Sequence, residues 1–235
     1  MFKRLSRFII KLFFWFVLIT VCWVLLYKWV PVPATPLMAI RSAQQLQHKQ
    51  EIKWKHQWVA LEKISNNLQL AVICSEDQKF TNHHGFDVEA IEKVIDNYDT
   101  NKRLRGASTI SQQTAKNVFL WPHRSWIRKG FETYFTFLIE LLWSKSRIME
   151  VYLNSIEMGD GIYGAQAAAK YWFDKDAASL SKYEAAAIAA ILPNPLKMKA
   201  DPATSYVQKR KQWILQQMHY YGPLNLMPTK TSKKK

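Results

Sequence analysis

The strongest constraint on this chain is a run of 16 residues without a charge, from Leu12 to Tyr27 (LFFWFVLITVCWVLLY). Extended to Phe8–Val30 it is 23 residues long, interrupted only by Lys11 and Lys28. As a helix it covers about 34 Å, enough for a ~30 Å hydrocarbon layer, and both lysines can snorkel outward. Eleven of the 16 residues are Leu, Ile, Val or Phe, which together favour insertion by about 3–7 kcal/mol. Trp23, Tyr27 and Trp29 suit the far interface. A cleaved signal peptide fits less well, because its apolar core is about 7–15 residues long and ends in a small-residue cleavage site absent here. Pro31-Val32-Pro33-Ala34-Thr35-Pro36 reads instead as an extended exit linker. Lys3, Arg4, Arg7 and Lys11 crowd the first flank. That asymmetry predicts a cytoplasmic N-terminus, with everything after Pro31 outside.

What remains is about 205 residues, the size of one ordinary domain. With 49% apolar and 14% aromatic residues the chain can bury a core, so wholesale disorder is excluded. Only 7 Gly and 9 Pro leave few turn signals for a many-stranded fold, and a mainly α fold is expected. The net charge of +15 calls for an anionic partner: nucleic acid, an acidic membrane, or a phosphorylated substrate. Cys22 and Cys74 are too few for a disulfide framework, and no Cys/His cluster suggests zinc.

Residues 40–64 are weakly readable, as helix or extended connection. Leu68–Ser75 reads as a short apolar helix ending at Glu76-Asp77, and Asp87 can cap a helix from Val88 to about Tyr98. A basic loop follows (Asn97–Arg105). Thr109/Gln112 and Ser181/Glu184 form capping boxes. Helices are further expected over Ser125–Trp143, after Ser144, and over about Ser205–Tyr220, while Pro193-Asn194-Pro195 stops the alanine-rich one.

Four segments carry candidate chemistry. In the first, Glu76 leaves a helix beside Val72, Ile73, Cys74 and Phe80; partial desolvation would raise its pKa toward that of a general base, against the plainer reading of a solvated helix end. His83 and His84 are weak metal candidates, since adjacent histidines point apart. In the second, Gly106 and the hydroxyls of Ser108, Thr109 and Ser111 precede a helix carrying Gln112, Gln113 and Lys116, an arrangement suited to phosphate or sugar, or simply a capped helix. The third, Arg124 to Glu132, gathers Arg124, Arg128 and Lys129. Arg128 and Glu132 four residues apart suit a surface pair, yet the cations also suit a diphosphate. Gly130 costs about 1 kcal/mol in a helix, which a close approach would explain. In the fourth, Lys145 to Asn154, a core face is the leading reading, with Glu150 and Asn154 serving structure.

Taken in order, E-D-x-x-F-x-x-H-x-G-x-D, G-x-S-T-I-x-Q-Q, R-K-x-x-E and K-x-x-I-x-E-x-Y-L-N resemble the peptidoglycan glycosyltransferase family. That family includes the transglycosylase domains of class A penicillin-binding proteins and their monofunctional relatives, and the short chain with one anchor is most similar to the latter. Gly161-Ile162-Tyr163-Gly164 and Glu184–Pro195 extend the likeness over most of residues 60–200. Two departures are visible: Ala107 replaces a second glycine, and Phe131 stands where many class A members carry lysine. Ser179–Lys182 and Ser65–Asn67 match transpeptidase motifs only by chance, because K-T-G is absent and the order is wrong.

The resemblance implies a mainly α, lysozyme-like, two-lobed glycosyltransferase domain over residues 60–222. It would follow a cytoplasmic stub and transmembrane helix (1–30) and a connection (31–59), and precede a basic tail (223–235). It implies polymerisation of lipid II into β-1,4 glycan on the periplasmic side of a bacterial inner membrane, with inversion and release of undecaprenyl diphosphate. Glu76 would be the base and Glu132 the second carboxylate. Lys116, Arg124, Arg128 and Lys129 would receive the diphosphate, while Ser108, Thr109, Gln112 and Gln113 orient sugar hydroxyls. A divalent cation, Mg or Mn, could accompany the diphosphate, although no dedicated ligand set is visible. The partners implied are lipid II, the growing glycan, the membrane and other cell-wall synthases, with no nucleic acid. Two rival readings are a lysozyme-like lytic hydrolase and an inactive membrane scaffold. Aromatic residues around Phe119-Leu120-Trp121 are expected to dip into the bilayer.

Overall fold

The computed structural model describes residues 2–96, 108–123 and 125–226. Among these the chain forms ten α-helices: α1 (Phe2–Trp29), α2 (Pro36–Gln47), α3 (Asn66–Glu76), α4 (Val88–Asp96), α5 (Ile110–Phe119), α6 (Trp126–Leu142), α7 (Lys145–Ser155), α8 (Ala165–Phe173), α9 (Lys182–Ile191) and α10 (Ser205–Tyr221). Three short strands, β1 (Lys55–His56), β2 (Glu157–Gly159) and β3 (Ile162–Tyr163), make a sheet of order β1-β3-β2. β1 runs parallel to β3, and β2 antiparallel to it. The mainly α expectation holds.

Local chemistry sets most helix starts. Thr109 Oγ1 accepts from Gln112 N while Gln112 Oε1 accepts from Thr109 N at 2.9 Å, and Ser181 and Glu184 repeat the exchange. Ser125 and Ser144 cap α6 and α7, and Asp87 Oδ1 accepts from Ala90 N at the start of α4. Residues 31–59 hold more than a linker. Pro36 opens α2 with Thr35 as its cap, and Val32 and Met38 are buried.

Two helix groups build the core. In one, α9 packs against both α3 and α10. Its run from Ala185 to Ile191 is entirely buried, and five small side chains let both neighbours come close. In the other, α5 packs against α6 and α7. Asn154 at the end of α7 exchanges two hydrogen bonds with the Val59 backbone, 3.0 Å in and 2.9 Å out. It thereby mimics a strand partner, which agrees with the structural role expected of it.

α1, about 42 Å long, is long and apolar enough to cross a membrane. Its second half is docked onto the domain. Phe16 lies 5.9 Å from Phe131 and 5.6 Å from Tyr134 between ring centres, and Thr20 Oγ1 is 2.8 Å from Tyr134 Oη. Trp143 Nε1 donates to Val24 O at 2.9 Å. Arg147 then donates to Tyr27 O and Val30 O. The last carbonyls of a helix lack partners within it, and here an arginine of α7 supplies them. Phe131 is thus part of the surface on which α1 rests.

Candidate active site

α3 ends in the groove between the two helix groups, and its last residue is Glu76. Glu76 Oε2 accepts from Gln113 Nε2 at 3.2 Å, and Oε1 accepts from Ser75 Oγ at 3.0 Å. Arg210 Nη2 on α10 sits 2.9 Å from Ser75 Oγ and 3.5 Å from Glu76 Oε1. Behind Gln113, the buried Tyr152 hydroxyl donates to Gln113 Oε1 at 3.3 Å, which turns the amide nitrogen toward the carboxylate. Neighbouring Asp77 is spent differently. Its Oδ2 accepts from Ile110 N at 2.9 Å, at the positive end of α5, and its Oδ1 accepts from His83 Nε2 at 2.9 Å. His83 is therefore a partner of Asp77, with Nδ1 accepting from Gly85 N.

Gly85 itself is required. At φ +89°, any Cβ would meet Thr136 Cγ2 at 2.8 Å, and its carbonyl accepts the Thr109 hydroxyl at 2.6 Å. This seats the first motif against the second and places Gln113 opposite Glu76.

The cavity at Glu76 has a volume of about 970 Å³ and is bordered by Ser108, Gln113, Lys116 and Arg210 among others. A second cavity of about 400 Å³ is bordered by Ser108, Gln112, Gln113, Lys116, Arg128, Lys129 and Glu132. Ser108, Gln113 and Lys116 border both, so the two are chambers of one groove. In the smaller chamber Glu132 is 3% exposed, with Oε2 accepting from Arg128 Nη1 at 2.8 Å and Oε1 from Lys129 Nζ at 2.5 Å. The Arg128–Glu132 pair is thus buried and no surface ornament, and among the described residues Arg128 Nε has no hydrogen-bond partner.

The groove unites Glu76, Ser108, Gln112, Gln113, Lys116, Arg128, Lys129 and Glu132. Thr109 borders neither chamber: its hydroxyl is 2% exposed and serves the cap and Gly85 O. Gln112 gives its Oε1 to the same cap. Arg124 lies outside the described residues, as do Gly106 and the basic loop. Gly130 faces open space, with nothing among the described residues within 4 Å of a Cβ, so none of them makes the close approach its presence suggested. Phe119 and Leu120 are buried, Phe119 against Trp23, Tyr27 and Phe135. Of that segment only Trp121 is exposed; Trp126 (92% exposed), Ile127, Phe137 and Leu141 are further exposed apolar side chains. Arg210 had no signal in the sequence: no motif marks it, and 134 residues separate it from Glu76.

The described residues contain no group of three or more His, Cys, Asp or Glu side chains able to hold a metal ion. Both oxygens of Glu132 are already held by cations. The groove therefore does not fit a dedicated divalent-cation site.

A groove that holds a reachable carboxylate, Glu76, together with the cations Lys116, Arg128 and Lys129 suits an enzyme that moves a glycosyl group from an anionic leaving group. The transglycosylase family model matches residues 43–219. A biosynthetic peptidoglycan transglycosylase of Bacteroides thetaiotaomicron is 56% identical over 217 residues, covering 92% of this chain and 88% of that one. Its counterparts in Pseudomonas putida strain F1 (48%, 99% of this chain, 97% of that one) and Bdellovibrio bacteriovorus (49%, 91% and 85%) are similar along nearly their whole length. The chain belongs to the transglycosylase family and has its lysozyme-like, mainly helical fold.

Proposed function

We propose that this protein is a peptidoglycan glycosyltransferase that polymerises lipid II into β-1,4 glycan. One observation carries the reading: Glu76 and the cations at Lys116, Arg128 and Lys129 open onto a single groove. The acceptor N-acetylglucosamine 4-hydroxyl lies at Glu76, which takes its proton as the oxygen attacks C1 of the donor N-acetylmuramic acid. The C1–O bond to undecaprenyl diphosphate breaks on the opposite face, inverting α to β. Negative charge grows on the departing diphosphate where Lys116, Arg128 and Lys129 are already in place, so little reorganisation is needed. Arg124 belongs to this cation set by its place in the third motif. Ser108, Gln112 and Gln113 orient sugar hydroxyls. Glu132 keeps Arg128 and Lys129 aimed into the chamber.

A divalent cation arriving with the diphosphate would find phosphate oxygens rather than a preformed protein ligand set, and no step above is routed through one. α1 holds the domain at the periplasmic face of the inner membrane, where a lipid-borne donor shares its bilayer and is locally concentrated. Trp121, Trp126 and Ile127 beside the smaller chamber face the lipid, and the surplus positive charge suits anionic headgroups. Other cell-wall synthases are the protein partners this position suits.

The test is purified full-length protein with lipid II. Polymer is expected. Release of fragments from preformed glycan would establish the lytic reading, and neither product would establish the scaffold.

A further inference from the structure

A cavity of about 500 Å³ lies away from the groove, between β1 and α8, and shares no bordering residue with either chamber. That volume is in the range of sites for small ligands. Two aromatic residues flank it, Trp54 at 40% and Tyr171 at 52% exposure, both large apolar faces left to solvent. The Lys55 ammonium rests 5.3 Å from the Tyr171 ring centre, which holds a positive charge at the rim, and it pairs with no acid among the described residues. His56 Nε2 bonds the Asn154 carbonyl at 3.0 Å. Burial lowers the pKa of His56, the ring is neutral, and its proton must sit on Nε2 to donate to that carbonyl, so Nδ1 is an acceptor. The Gln57 amide, the Trp54 indole N–H and His56 Nδ1 have no hydrogen-bond partner among the described residues. Gln166 and Lys170 also border the cavity but are committed elsewhere, to Asp176 and Ala177 and to Asp174.

Flat aromatic faces cover the C–H faces of pyranose rings, an amide and a ring nitrogen meet hydroxyl and N-acetyl groups, and a lysine meets a carboxylate. A prenyl chain would leave these polar groups unpaired, and one unneutralised cation is too little for a polyanion such as nucleic acid. We propose that this pocket is a second carbohydrate site, which binds N-acetylated glycan bearing carboxylates: a stretch of the strand made in the groove or of glycan already in the wall. The inference rests on the glycosyltransferase reading for the identity of the glycan. A second hold on the strand raises its local concentration at the enzyme without any new contact in the groove.

The probe is a short soluble strand of alternating N-acetylglucosamine and N-acetylmuramic acid with its peptides, free of lipid and diphosphate, added to full-length protein in detergent. Hydrogen exchange is expected to slow in residues 53–57 and 165–173 of the parent, and Trp54→Ala/Tyr171→Ala to lose that protection with at least tenfold weaker binding there. Because both rings are substantially exposed, the variant should keep its melting temperature and an initial polymerisation rate within twofold of the parent. Lys55→Gln should weaken the acidic strand at least fivefold while leaving a neutral chito-oligosaccharide unchanged. Protection confined to residues 74–78 and 108–116, or a double variant that binds as the parent does, would overturn the site. Equal binding of the acidic strand by Lys55→Gln would overturn the carboxylate part. A parent that shows this protection but makes no polymer from lipid II would instead remove the reading of the groove.

Discussion

The two ends of the groove hold their carboxylates in opposite ways. Glu76 meets one neutral amide, one hydroxyl and a guanidinium at 3.5 Å, and its side chain keeps 14% of its surface. Glu132 is sealed, with a cation on each oxygen. A base must exchange a proton with an incoming hydroxyl and needs a reachable oxygen. An acid with a cation on each oxygen holds those cations against their mutual repulsion. The difference fits the proposed roles, proton transfer at one end and charge organisation at the other.

The largest expected effect breaks the comparison at the open end. Glu76→Gln keeps the size but removes the proposed base and leaves a single acceptor oxygen for Gln113, Ser75 and Arg210, and polymerisation should fall by about 10²–10⁴-fold with the melting temperature little changed. Polymer formed at the parental rate would refute the proton-transfer role. At the closed end, Glu132→Gln should cost both activity and stability. Arg128, whose side chain is 10% exposed, would lose its partner, for an expected loss of about 2–3 kcal/mol, below the full penalty of a wholly buried pair because Lys129 reaches solvent. Denaturant unfolding measures this, and an unchanged midpoint would mean that Arg128 finds other company.

Much of this contrast was legible in the chain because it is local. Glu132 with Arg128 and Lys129, the Thr109/Gln112 box and the end of α3 at Glu76 all lie within single turns, where spacing decides geometry. Burial was not legible: the four-residue spacing of Arg128 and Glu132 is the same for a surface pair and a sealed one. Nor were the strands, since β1 and β3 are two residues each and pair across 107 positions. Thr109 looked like a sugar ligand because a hydroxyl that caps a helix and one that binds substrate have the same sequence. Arg210 reaches Glu76 only because α10 packs on α3, a tertiary fact with no local trace.

Arg210 sharpens the open end. Its Nε is buried without a partner among the described residues and its Nη2 bridges Ser75 and Glu76, so Arg210→Ala should lower kcat by about 5–30-fold, or about 1–2 kcal/mol. Arg210→Lys should recover part of that loss. A change in KM alone would make it a substrate contact rather than a positioning residue. Smaller still is the effect of lipid contact at the closed end. Trp126→Asp/Ile127→Asp should reduce turnover of lipid II in vesicles by about 3–10-fold, on the order of 1 kcal/mol, and leave turnover in detergent unchanged.

The smallest effect comes from a third buried acid. Glu157 is buried too, at 7% exposure, but among the described residues its one cation, Arg41, is 3.9 Å away, and Glu157 Oε1 has no hydrogen-bond partner there. Burial raises its pKa above the usual 4.5, against smaller opposing contributions from Arg41, the Gly161 backbone and the Tyr163 hydroxyl. A raised folded-state value means the protonated form is the favoured one. The stability it contributes is complete below about pH 4.5 and is lost as pH rises through the folded value. Glu157→Gln should therefore be more stable than the parent at pH 7, by about 1 kcal/mol, with the gain vanishing near pH 4. Arg41, at 37% side-chain exposure, can turn to water when the charge goes. Thermal melts at the two pH values decide it. A Glu157→Gln form destabilised at pH 7 would show that 3.9 Å suffices for a working pair, and then a cation at that range would hold an acid as Arg128 and Lys129 hold Glu132.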